Sequence, residues 1–187
     1  MVQALGITGI SKSEVSRIGA ALDVEVSRFR NRALVGAFPY IWVDATYLKV
    51  RQNGRVVSLA VVIATGVNAE GHRKVLGLDV GPSEEQAFWA QFLRGLVQRG
   101  LTGVQLVTSD AHTGLKRAVA EALVGTSWQR CRVHFVRNAL ALVPKGAQQL
   151  VAATIRTVCA QPDAVNARGQ WRRMADGFRD RFPGLPT

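Results

Sequence analysis

Apolar and polar positions along the chain change period several times, and each change marks an element. Val15, Ile18, Leu22, Val26 and Phe29 recur at helical spacing. Immediately before them, Ser11-Lys12-Ser13-Glu14 has the form of a capping box, in which Ser11 and Glu14 each satisfy a free backbone N–H of the first turn. Lys12, Ser13, Ser16 and Arg17 fall in the exposed first turns. With the Gly6 to Gly9 turn ahead of it, this segment fits either the second half of a helix-turn-helix or a plain amphipathic helix. From Pro39 to Arg51 the pattern becomes β-like, rich in aromatic and β-branched residues such as Tyr40, Ile41, Trp42, Val43 and Tyr47. Asn53-Gly54 then predicts a tight hairpin, because both central residues of a type I′ turn need positive φ. The return run Val56–Val67 is apolar nearly throughout, which predicts a central strand covered on both faces. Asn68-Ala69-Glu70-Gly71 makes another turn, and Lys74–Val80 a third strand.

Gly81-Pro82 ends this meander. Ser83-Glu84-Glu85-Gln86 is a second capping-box pattern, and Phe88, Trp89, Phe92, Leu93, Leu96 and Val97 share one helical face up to the stop at Gly100. Val104–Thr108 predicts a short buried strand and His112–Leu123 a helix that ends before Gly125. Ser127–Val133 predicts a fifth strand. Past His134 the pattern is helical only: Phe135–Val143, then a stripe of Ala147, Leu150, Val151, Thr154, Ile155 and Val158. A last segment carries Val165, Trp171, Met174 and Phe178. The order β-β-β-α-β-α-β followed by helices defines an α/β class with a mixed sheet, the element order of RNase H-like folds.

Composition narrows the partners. The 187 residues carry a net charge of +11, and residues 112–187 hold 12 Lys/Arg against 4 Asp/Glu. A basic excess suits a polyanion, nucleic acid or an anionic membrane surface. No apolar run approaches the roughly 20 residues of a membrane span, and the N-terminus lacks the basic start and apolar stretch of a signal peptide. That favours nucleic acid and a cytoplasmic, nucleoid-associated location. Two cysteines, Cys131 and Cys159, make no disulfide framework.

Three features could carry chemistry. Asp44 sits inside a β run on the face of Trp42 and Thr46; a carboxylate there is either exposed on an edge or paired with a charge or metal. Asp110 directly follows a strand, where α/β sheets place their sites, although Ser109 or Asp110 could instead cap the next helix. In an RNase H-like topology the first and fourth strands are neighbours, so the two carboxylates would meet. Carboxylates suit Mg2+ or Mn2+, and two such ions roughly 4 Å apart can clamp a phosphodiester. Cys131-x-x-His134 has too few companions for structural zinc; its bland reading is a buried Cys closing a strand and a His starting a helix.

Taken together, Trp42-Val43-Asp44-Ala45-Thr46-Tyr47, Gly77-Leu78-Asp79-Val80-Gly81, Ser109-Asp110-Ala111-His112 and Trp128-Gln129-Arg130-Cys131-Arg132-Val133-His134-Phe135-Val136-Arg137-Asn138 occur in one order. The set closely resembles the mutator-type transposases of bacterial insertion sequences, from about Gly6 to Pro183. The resemblance implies an Asp-Asp-Glu transposase with an RNase H-like core and two Mg2+ or Mn2+ ions. Such an enzyme nicks DNA at the element's ends with metal-activated water and uses the freed 3′-OH to attack target DNA. Asp44 matches the first acid and Asp110 the second, both as catalytic residues and metal ligands. Cys131 and His134 match the signature beside the active site, as support rather than a metal site. Asp79 matches a family stretch without a catalytic role.

The implied layout is a helix-turn-helix remnant and linker over 1–38, a catalytic core over 39–135, and the start of an all-α insertion over 136–187. The third acid of the family is a Glu beyond that insertion; here no Glu follows Glu121. The expectation is therefore a piece truncated at both ends and deficient in catalysis alone. Two alternatives stay open. One is a non-catalytic relic or regulator that binds DNA or intact transposase. The other is a different RNase H-like nuclease that finds its third acid at Asp163, Asp176 or Asp180. A core without the Glu-bearing helix would also leave one sheet face uncovered. Lys12, Arg17, Arg130, Arg132 and Arg137 are candidate phosphate contacts from charge and position, and a homo-oligomer is expected of the full-length protein.

Overall fold

The computed structural model describes residues 9–81 and 86–185, and divides into two compact units, residues 1–129 and 130–187. The first unit is a mixed α/β domain. It opens with α1 (Lys12–Asn31), whose N-terminus is closed by the expected capping box: Ser11 accepts from the Glu14 N–H and Glu14 accepts from the Ser11 N–H. The apolar stripe of α1 is not inward, for no residue of the helix is buried. The helix is tied to the sheet at its C-terminal end, where Arg30 pairs with Asp79.

Three antiparallel strands follow: β1 (Tyr40–Gln52), β2 (Arg55–Val67) and β3 (Arg73–Gly81). Asn53 and Gly54 both take positive φ, +50° and +77°, as the hairpin pattern requires. Next come α2 (Gln86–Gln98), β4 (Leu106–Ser109), α3 (Thr113–Ala122) and β5 (Ser127–Arg130). The five strands lie in the order β3-β2-β1-β4-β5, with β4 parallel to β1. This is the mixed sheet and element order expected of an RNase H-like core. The second capping-box pattern, at Ser83 to Gln86, lies outside the described residues apart from Gln86.

One face of the sheet carries the core. Ile41, Val43, Val62, Ala64, Leu76 and Val107 pack there against Trp89, Phe92, Leu93 and Leu96 of α2 and Leu115, Ala118 and Val119 of α3. Each is nearly solvent-free, and each fully buried side chain of this size contributes roughly 1.5–3 kcal/mol. β2 departs from expectation. It is interior to the sheet, but it is not covered on both faces: Ile63 is 40% exposed, and Val56 near the hairpin is 63% exposed. Its apolar run reflects β propensity on both faces, not burial on both.

β5 also ends earlier than the strand expected over Ser127–Val133. The chain leaves the sheet after Arg130 and enters α4 (Arg132–Ala141), so Val133 is helical. In the second unit, α4, α5 (Lys145–Cys159) and α6 (Ala164–Phe178) enclose a small core of Ala139, Val143, Val151, Ile155, Met174 and Phe182. No described helix is long and apolar enough to cross a membrane.

Candidate active site

Strand register decides where the two candidate acids fall. In the parallel pair β1–β4, Val43 lies opposite Ser109. Asp44 and Asp110 are each one residue further on, so the two carboxylate-bearing residues stand level on neighbouring chains. Adjacent strands are about 4.8 Å apart, which is within the span of one cation-binding site. Val43 points into the core and is 1% exposed, so alternation turns Asp44 to the opposite, open face. Asp110 is half-buried at the carboxyl end of β4.

Each carboxylate is oriented by the backbone that follows it. Asp44 Oδ1 accepts from the Ala45 N–H at 2.9 Å and Asp110 Oδ1 from the Ala111 N–H at 2.7 Å. The alternative role for Asp110 or Ser109, capping the following helix, does not hold. His112 is the N-cap of α3, its Nδ1 accepting from the Leu115 N–H, and Asp110 lies two residues ahead of it. The strand end is fixed by Ser109 in a way the sequence pattern, which offered it only as a possible helix cap, did not show. Ser109 is a fully buried polar side chain; its Oγ donates to the Asp110 carbonyl at 2.8 Å and accepts from Trp128 Nε1 at 2.9 Å. Trp128 in turn lies beneath the Lys116 ammonium, 4.6 Å from its ring centre. Nineteen residues separate Ser109 from Trp128, so no local spacing announces the bridge.

Asp79 is engaged with Arg30 and with the Val80 N–H. Cys131 and His134 belong to the second unit. Cys131 is the N-cap residue of α4, makes no side-chain cap, and is half-exposed rather than buried; His134 lies in the first turn. Among the described residues, no group of three or more His, Cys, Asp or Glu could hold a metal ion. Asp163 caps α6, accepting from the Asn166 N–H and side chain, and these bonds hold its carboxyl below the usual range. Asp176 pairs with Arg179 at 2.7 Å. Of the candidate phosphate contacts, Lys12, Arg17, Arg132 and Arg137 are exposed; Arg130 is half-buried, with its guanidinium over the Phe135 ring.

The parallel β1–β4 pair in a β3-β2-β1-β4-β5 sheet is the strand order expected of an RNase H-like core. The comparisons agree. The family described as "Transposase, Mutator family" matches residues 1–186, and the chain belongs to it. It is 45% identical over 186 residues to the transposase of insertion sequence element IS1081 of Mycobacterium tuberculosis, covering 99% of this chain and 45% of that one. It is 34% identical over 182 residues to the IS256 transposase of transposon Tn4001 of Staphylococcus aureus, covering 97% of this chain and 47% of that one. The chain thus spans a little under half the length of these relatives. Among solved structures, the HTLV-2 integrase catalytic core domain in complex with magnesium aligns over 77% of this chain and 86% of its own, with TM-score 0.33 and 10% identity, a faint likeness.

Proposed function

We propose that the first unit is the part of an insertion-sequence transposase that binds the scissile DNA strand and supplies two of its metal-holding carboxylates, Asp44 and Asp110. The observation that carries this reading is their level placement on adjacent parallel strands, in a chain of the Mutator transposase family. The donor set fits Mg2+ or Mn2+, which favour hard carboxylate oxygens. When bound, such ions would stabilise the charge that develops on the phosphate and activate the attacking oxygen.

The chain's own residues do the positioning. The Ala45 and Ala111 N–H groups hold one oxygen of each carboxylate, and the Ser109–Trp128 bridge fixes the backbone that carries Asp110. The open face on which Asp44 stands gives a DNA strand access. A basic net charge supports the same substrate through phosphate contacts. Among the described residues no third carboxylate joins the pair; the reading is that this chain alone does not complete the catalytic set, and that a homo-oligomer of the full-length protein does the work.

The test is Mg2+- or Mn2+-dependent nicking of DNA bearing the element's ends, comparing this chain with its Asp44→Asn form. The expected result is DNA binding without nicking in either. Nicking that disappears in Asp44→Asn would mean that these 187 residues already contain a third ligand, and would refute the incomplete-set reading while retaining Asp44.

A further inference from the structure

The β1–β2 hairpin extends well past the rest of the sheet. β4 pairs only with residues 40–43 of β1, and β3 pairs only with residues 60–67 of β2. Residues 44–47 are still held in the sheet, because their β2 partners 60–63 pair with β3; among the described residues, 48–59 form a two-stranded ribbon with no third strand on either side. From Leu48 to the turn at Asn53 it is roughly 15–20 Å long at the usual rise per residue. Its root lies four residues along β1 from the candidate catalytic acid Asp44, and it is solvent-exposed: Leu48 is 49% exposed and Val56 63%.

The charge on this ribbon is one-sided. Lys49, Arg51 and Arg55 are its charged residues beyond Asp44, all exposed, and no acid occurs between Asp44 and Glu70. The register also distributes them. Lys49 and Arg51 alternate onto one face, while Arg55, opposite Gln52, lies on the other. Cations on both faces of a narrow ribbon suit a position in a groove flanked by two phosphate backbones, and the major groove of duplex DNA admits a two-stranded β-ribbon.

We infer that the β1–β2 ribbon is a DNA-binding arm that lies along the duplex next to the bond held at Asp44 and Asp110. The inference rests on the DNA reading above. It gives the arm a positioning role: Lys49, Arg51 and Arg55 contact phosphates and set the path of the duplex, and the ribbon transmits that path to Asp44 through continuous strand. Exposed Leu48 and Val56 provide the apolar surface that lies between the phosphate contacts.

The experiment measures binding of the 187-residue chain to a short labelled duplex by fluorescence anisotropy across a salt series. Three proteins are compared: the unaltered chain, the ribbon variant Lys49→Gln/Arg51→Gln/Arg55→Gln, and a charge-matched control, Arg168→Gln/Arg172→Gln/Arg173→Gln in α6. The ribbon variant is expected to bind roughly tenfold or more weakly, with the slope of log affinity against log salt reduced by about 2–3. The control is expected to lose less on both measures. Amide exchange on the unaltered chain, which needs no variant to fold, is expected to slow across residues 47–57 when duplex is added.

If the unaltered chain binds duplex but the ribbon variant keeps its affinity and slope, and residues 47–57 gain no protection, the arm is overturned while the DNA reading stands. If the unaltered chain does not bind duplex at all, both fall. If the ribbon variant instead self-associates, with DNA binding unchanged, the cations serve to keep open strand edges apart, and the arm is again overturned.

Discussion

Replacing Ser109 with Ala tests whether the end of β4 is locked by the bridge seen beside Asp110. The Oγ is buried at 2% residue exposure, accepts from Trp128 Nε1 and donates to the Asp110 carbonyl. Removing it deletes two neutral hydrogen bonds, each worth about 1 kcal/mol net, and strands a half-buried indole N–H, for which the desolvation cost is about 1–3 kcal/mol. The volume lost is one oxygen atom, so a cavity adds little. The expected destabilisation is about 2–3 kcal/mol in urea unfolding monitored by tryptophan fluorescence. Trp128→Phe removes the donor from the other side. If the two side chains act through one bond, the double variant should be less destabilised than the sum of the singles by about 1 kcal/mol or more. Strict additivity would refute the bridge, and a Ser109→Ala chain as stable as the parent would refute its energetic weight. The same variant should weaken Mn2+ binding, because the backbone carrying Asp110 loses its anchor.

Further outcomes follow from the geometry. Gly100 has φ +102°, and a Cβ there would sit 2.6 Å from the Leu34 carbonyl oxygen; Gly100→Ala should lower stability by about 1–3 kcal/mol or more in thermal unfolding, and an unchanged melting temperature would contradict the close approach. The Asp163 carboxyl is held below its ordinary range, first by the Asn166 backbone N–H. A depressed folded-state value contributes stability that is present above the unfolded value, near 4, and lost as pH falls through the lower folded one. Asp163→Ala should therefore flatten the stability profile of the helical unit on the acid side. An identical acid profile in the two proteins would remove the cap's role.

Much of the fold was legible because local signals agreed with one another. The Ser11 capping box, the Asn53-Gly54 turn and the Gly100 stop each name a backbone geometry that few residues satisfy, and each is found. What failed had a common cause: hydrophobic runs report propensity as well as burial. β2 reads as doubly buried yet Ile63 and Val56 are exposed. The α1 stripe of Val15, Ile18, Leu22 and Val26 has the spacing of a packed face and is exposed. At the site, Asp44 and Asp110 could be named from their strand positions, but their level placement depends on the β1–β4 register, which sequence does not print. The Ser109–Trp128 bridge depends on tertiary approach and was not visible at all, while the His112 cap is a local bond to the Leu115 N–H that the pattern did not single out.

The central claim is that Asp44 and Asp110 hold a divalent cation together. The most direct measurement is Mn2+ binding to this chain, followed by the loss of the free-ion paramagnetic resonance signal. Asp44→Asn, Asp110→Asn and, as a carboxylate control, Asp163→Asn are titrated beside the unaltered protein. The account predicts saturable binding that is lost in either of the first two and retained in the third. Binding that survives in Asp44→Asn and Asp110→Asn alike, or that disappears with Asp163→Asn, would contradict it.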